Sequence, residues 1–261
     1  MSLVPDVTVA TPGLRVEDLT VRYGTHEAVK NLTLEAAAGR LTGLIGPNGA
    51  GKTTTFNACS GLLAPSVGRV HLFGTDISGL GPAARARRGL GRTFQRMELF
   101  TSMTVAENLL AASDARRAGA NPLRQFVATR AERTDTAAAV QGALEHCGLT
   151  DLADRNVASL STGQRRLVEL ARALVSHFGL LLLDEPSSGL DPQETKAFGA
   201  ILRSLVDEGL GILLVEHDMT LVMEVCDYLY VLDFGELIFE GTAAAAQASP
   251  VVRAAYLGAE A

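Results

Sequence analysis

The chain has 261 residues, 47% of them hydrophobic, with 23 basic and 29 acidic side chains and a formal net charge of −6. That length and apolar content suffice for one large domain or two small ones with a packed core, and the acidic balance gives no reason to expect a nucleic acid partner. The three cysteines, Cys59, Cys147 and Cys226, are widely separated and odd in number, which argues against a disulfide framework or a paired-cysteine zinc site and fits a reducing compartment.

Residues 1–13 carry two prolines and no charged-then-apolar leader pattern, so a flexible N-terminus is expected ahead of a single domain over 14–261. The longest apolar runs, at 179–183 and 211–215, fall far short of the roughly 20 residues needed to cross a bilayer. Any dealings with a membrane are therefore expected to pass through a partner.

Leu14, Val16, Leu19 and Val21 alternate imperfectly with polar residues, as do Val29, Leu32 and Leu34, which predicts half-exposed antiparallel strands. Tyr23 lies between them. Taken alone, it is either a packing residue at a strand end or a flat platform for a purine ring. The apolar run 41–45 then reads as a buried strand, and 54–62 as a helix. Between them lies Gly46-Pro47-Asn48-Gly49-Ala50-Gly51-Lys52-Thr53-Thr54. Strand, glycine-rich loop, helix is the context of a phosphate-binding loop: glycines let backbone N–H groups curl round an anion, and the helix start adds its positive dipole end. Lys52 supplies a compact charge to the outer phosphates, and the Thr53 hydroxyl suits Mg²⁺. Lysine is otherwise scarce, occurring only at Lys30 and Lys196, so a chance match is remote and the chain is expected to bind a nucleoside triphosphate.

Further on, 70–73 reads as a short strand and 90–95 as another, ending in Gln95, which in isolation is a surface glutamine. Val105, Leu109 and Ala112 mark one face of a helix. The polar stretch 113–136 carries Arg116, Arg117, Arg124, Arg130 and Arg133, a solvated face or a headgroup or partner contact. Leu160-Ser161-Thr162-Gly163-Gln164 leads into a helix with Leu167, Leu170, Ala171 and Leu174 at i, i+3, i+4 and i+7. Ser161 there is either a plain N-cap or a second anion-seeking helix start.

The run 180–183 has the apolar continuity of a central parallel strand, and Asp184-Glu185 stand at its carboxyl end, where ligands gather. Asp184 is placed to hold Mg²⁺, and Glu185 to orient and deprotonate an attacking water. Phe198, Ile201, Leu202 and Leu205 stripe the next helix. A further buried strand, 211–215, ends in Glu216-His217-Asp218, so His217 also sits at a strand end and is within reach of a γ-phosphate. His26, His71, His146 and His177 are read as structural. Strands at 228–232 and 236–239 and a helical tail over about 242–261 complete the chain.

These blocks, in this order, resemble the ATP-binding cassette (ABC) ATPases of ABC transporters over nearly the whole chain from Leu14. The resemblance implies an α/β fold: a P-loop NTPase core with a mostly parallel sheet, an N-terminal antiparallel β subdomain, and a helical subdomain inserted at about 96–175. It implies that Tyr23 stacks on adenine, that the loop Gly46–Thr54 with Lys52 holds the phosphates, and that Thr53, Gln95 and Asp184 serve Mg²⁺. Glu185 is then the catalytic base, with His217 contacting γ-phosphate and water. Two cassettes meet head to tail in this family, so that Ser161, Gly163 and Gln164 of one subunit close over ATP held by the other. Thr162 departs from the usual glycine.

Within the family, the segments around Arg92–Phe100, 186–195 and Tyr256-Leu257-Gly258 look like the longer ATPase of branched-chain amino acid, amide and urea importers. A lipid or lipopolysaccharide export ATPase is the alternative, and an ATP-gated clamp on nucleic acid or ribosome the alternative of another class. The importer reading implies a second ATPase subunit, identical or related, two transmembrane permease subunits and, indirectly, a solute-binding protein. It also implies peripheral attachment to the cytoplasmic face of the cell membrane.

Overall fold

The computed structural model describes residues 13–93, 98–120 and 130–257. Among these, two sheets form. In the first, β1 (Leu14–Tyr23), β2 (His26–Ala36), β4 (Val67–Leu72) and β5 (Thr75–Asp76) run antiparallel in the order β2-β1-β4-β5. Leu19 pairs with Leu32 and Val21 with Val29, and these side chains are buried while their polar neighbours face outward, the pattern of a one-sided sheet.

The second sheet has the order β10-β9-β3-β8-β7-β6. Its parallel strands are β3 (Leu41–Ile45), β6 (Leu90–Arg92), β7 (Leu180–Asp184), β8 (Gly211–Val215) and β9 (Tyr228–Asp233), and β10 (Glu236–Gly241) closes one edge antiparallel to β9. The apolar runs are continuous because both faces are covered. Leu180 and Leu182 of β7 enter a core shared with α1 (Lys52–Ser60) and the antiparallel sheet. Leu181 and Leu183 enter a second core with α6 (Pro192–Asp207) and α7 (Met219–Val225). The second core continues into α3 (Val105–Ala120), α4 (Arg130–His146) and α5 (Thr162–Leu174), inserted between β6 and β7. The short α2 (Pro82–Ala86) precedes β6, and α8 (Ala243–Ala248) and α9 (Pro250–Leu257) make the tail.

Several boundaries differ from the sequence reading. α1 covers Lys52–Ser60 instead of 54–62, because Gly51 and Gly61 both adopt left-handed backbone at its two ends and leave Leu62 52% exposed. β4 starts at Val67 and stops at Leu72, where Phe73 turns to φ +49°. β6 stops at Arg92, short of the expected 95. The arginine side chains from 116 to 133 lie outside the described residues.

One buried charge braces the helix behind the phosphate loop. Arg85, 1% exposed, donates from Nη1 to the Ala58 and Cys59 carbonyl oxygens at 2.7 Å each, from Nε to Leu80 O at 2.8 Å and from Nη2 to Ser78 O at 3.0 Å. A planar five-donor guanidinium can satisfy the last carbonyls of α1 while meeting the negative end of its dipole. Arg85→Met removes the donors, leaving the Ala58 carbonyl only its bond from Gly61 N–H and stripping Cys59, Leu80 and Ser78 of the guanidinium, so it is expected to cost about 2–4 kcal/mol of stability. A urea unfolding midpoint equal to wild type would contradict this.

Candidate functional site

The glycine-rich loop is pressed between neighbours that leave no room for a side chain at Gly46 or Gly51. At Gly46 a Cβ would lie 2.1 Å from Leu232 O, and at Gly51, with φ +98°, 2.6 Å from Ala28 O. Gly51 caps α1 without a side chain, whereas α5, α6, α7 and α8 are capped by the side-chain oxygens of Ser161, Asp191, Asp218 and Thr242. The first amides of α1 thus have no side-chain acceptor. They open on a cavity of about 210 Å³ whose walls are Asn48 to Thr54, Ala28, Glu185 and His217.

Lys52 is buried, and its ammonium donates to Gly46 O at 2.6 Å and Pro47 O at 2.9 Å. Burial pulls its pKa down, and the carboxylates of Glu185 and Asp184 oppose that pull. Asp184 ends β7 at 6% exposure. Burial pushes its carboxyl above the usual range, against the attraction of Arg92, whose Nη2 lies 3.2 Å from Oδ2; Glu185 adds to the rise and Lys52 opposes it. Arg92 also donates from Nη1 to Asn57 Oδ1 and Ser60 Oγ at 2.8 Å each, so one guanidinium ties β6 to α1 and to the acidic end of β7.

Glu185 takes φ +48°, with its N–H donating to Val215 O at 2.9 Å. A bulky residue in left-handed backbone costs free energy, and such strain gathers at working positions. The turn brings Glu185 Oε1 to 2.8 Å from His217 Nε2. Behind the pair lies Glu216, 3% exposed, whose Oε1 accepts from Ser187 N–H at 2.8 Å and Oε2 from His217 N–H at 3.0 Å. Glu216 and Arg92 received no role in the sequence reading; the available clue for Glu216 was a carboxylate directly after the apolar run of β8.

Other expected site residues fall elsewhere. Thr53 and Thr54 line the cavity at the start of α1. Tyr23 closes β1 with its ring 52% exposed. Gln95 lies outside the described residues. Ser161 and Gln164 form a reciprocal capping box at the exposed start of α5, and a Cβ on Gly163 would lie 2.4 Å from Glu194 Oε1. Thr162 stacks its Cγ2 3.3 Å from a Cβ position on Gly189. None of Ser161, Gly163 and Gln164 lines the phosphate cavity of its own chain.

A family model described as ABC transporter matches residues 29–188, which contain the loop, the acidic strand end and the α5 start. The chain belongs to the ABC transporter family. A second model, described as branched-chain amino acid ATP-binding cassette transporter, matches residues 236–261. Among curated ABC relatives, the high-affinity branched-chain amino acid transport ATP-binding protein BraF of Pseudomonas aeruginosa is 39% identical, the match covering 96% of this chain and 99% of the relative. LivG of Escherichia coli, with the same description, is also 39% identical over the same shares. The lipopolysaccharide export system ATP-binding protein LptB of Haemophilus influenzae is 34% identical over 94% of this chain and 97% of its own. Among solved structures, an ATP-binding cassette of an ABC transporter in its ADP conformation superposes with a TM-score of 0.82 at 31% identity, covering 94% of this chain and 98% of that one. A nucleotide-free cassette gives 0.80 at 31% identity over 93% and 98%.

Glu216→Gln puts an amide NH₂ against a backbone N–H that now has an acceptor. The variant is expected to lose about 1–3 kcal/mol of stability and to exchange the Ser187 and His217 amide protons faster; unaltered exchange at both would remove the bracing role.

Proposed function

We propose that the chain is the ATP-hydrolysing subunit of an importer for branched-chain or related amino acids. The observation that carries the catalytic half is the single cavity in which an uncapped helix start and Lys52 face the Glu185–His217 pair at 2.8 Å. The backbone N–H groups of the loop Gly46 to Thr54, Pro47 excepted, and the Lys52 ammonium hold the triphosphate, with Tyr23 against the adenine. Lys52 must leave the Gly46 and Pro47 carbonyls to do so, and the more negatively charged phosphates supply the stronger acceptor.

Glu185 takes a proton from the attacking water, and His217 keeps the carboxylate turned into the cavity and contacts the γ-phosphate. The Thr53 hydroxyl and Asp184 carboxylate, with Gln95, are hard oxygen ligands of the kind Mg²⁺ accepts. A Mg²⁺ held by these oxygens would neutralise phosphate charge. Ser161, Gly163 and Gln164 stand away from their own chain's cavity, as groups closing over ATP of a second cassette would.

The importer half rests on the 39% identity to BraF and LivG, against 34% to LptB, and on the tail match at 236–261. A second cassette, two permease subunits and a solute-binding protein complete the machine, which puts this chain at the cytoplasmic face of the membrane; among the described residues no helix is long and apolar enough to cross it.

Glu185→Gln is expected to keep ATP binding, to accumulate as an ATP-bound dimer and to hydrolyse at least about a hundredfold more slowly. Normal turnover would remove the role given to Glu185. The complex purified from native membranes and reconstituted should drive uptake of labelled leucine; extraction of lipid without amino acid uptake would select the export alternative.

A further inference from the structure

The β9–β10 connection is a two-residue turn, Asp233-Phe234-Gly235-Glu236, with Asp233 paired to Glu236 and φ of +45° at Phe234 and +79° at Gly235. Positive φ at both central positions is the requirement of a type I′ hairpin turn, for which Asn-Gly is the favoured pair. A phenylalanine is a poor choice there, since its Cβ and ring crowd a left-handed backbone. Its ring is also 81% exposed, more than any other large apolar side chain among the described residues. The hairpin needs the left-handed backbone but not this side chain, and the exposed ring covers no core.

The position of the turn gives the ring something else to cover. Gly235 N–H donates to Ala50 O of the phosphate loop at 3.2 Å, Lys30 N–H donates to Gly235 O at 2.8 Å, and the Lys30 ammonium meets Glu236 at 2.8 Å. Phe234 is thus mounted on the phosphate loop from the side of β2. Together with Gly49 and with Arg22, Thr25 and His26 from the β1–β2 turn that carries Tyr23, it lines an open cavity of about 620 Å³. That cavity shares Ala28 and Gly49 with the phosphate cavity. A ligand with an anionic tail in the loop and a flat aromatic head fits the two in succession.

We propose that Phe234 is a nucleobase-contacting residue, its exposed ring covering the base in the cavity between the Tyr23 turn and its own. This rests on the reading of the loop at 46–54 as an ATP site. The strained backbone and exposed ring are then accounted for together, since an aromatic face stacks on any base.

The sequence preference of the turn supplies a test whose two readouts move in opposite directions. Phe234→Asn installs the favoured Asn-Gly pair, so the nucleotide-free protein should melt at a higher temperature than wild type. Its calorimetric Kd for ATP with Mg²⁺ should nevertheless rise about fivefold or more, the loss expected for one stacking contact. Inorganic tripolyphosphate, which has no base, should bind both proteins equally, and Phe234→Tyr should restore ATP binding. An unchanged ATP Kd in both Phe234→Asn and Phe234→Ala would overturn the proposal and turn the ring over to a partner chain. Equal weakening for ATP and tripolyphosphate would overturn it in favour of a turn that only props Ala50. Wild-type protein that binds neither ligand would instead defeat the ATP-site reading itself.

Discussion

A helix whose first amides lack a side-chain acceptor is the constraint around which the molecule is arranged. Gly51 offers no side chain to cap α1, and the far end of the same helix is held by Arg85 Nη1, which bonds to the Ala58 and Cys59 carbonyls. The dipole is therefore answered by protein at its negative end and left for an anion at its positive end. Parallel strands complete the arrangement. Because β3, β7 and β8 run the same way, their carboxyl ends coincide, and the phosphate loop, Asp184-Glu185 and Glu216-His217 come to one rim without long connecting loops.

The charges on that rim are held at some cost. Burial moves Lys52 and Asp184 toward their neutral forms even though the two attract one another. Both charged forms are thus stabilised less well than water would stabilise them. Lys52 relieves part of this by bonding to Gly46 and Pro47 carbonyls, and Asp184 by bonding to Arg92. Working positions that conflict with local stability are where sequences depart from what folding alone would choose; Glu185, with its left-handed backbone, is another.

The legible parts of the fold were those written in local pattern. The apolar runs 41–45, 180–183 and 211–215 became β3, β7 and β8 because strands covered on both faces need no polar alternation. Ser161 was readable as an N-cap at the start of α5 for the same local reason, and the structure adds Gln164 as its reciprocal partner. The two-residue displacement of α1 traces to Gly51 and Gly61, whose left-handed backbones end a helix more sharply than hydrophobic spacing suggests. Arg85 was not legible as a buried residue, nor Arg92 as a half-buried one. Arg85 finds its partners on backbone carbonyls, and Arg92 on side chains from distant elements, which no periodicity encodes. Nothing in the local pattern sets Phe234 apart between the strands at 228–232 and 236–239, since backbone handedness and exposure are visible only in three dimensions.

Glu216 has a mechanical consequence. One carboxylate receives the N–H of Ser187, just past the acidic strand end, and the N–H of His217 on the neighbouring connection. The two segments therefore hang from a common pin. Displacing either one strips a donor from an anion sealed away from solvent, so the histidine and the glutamate it faces are registered to each other by their backbones as well as by their touching side chains.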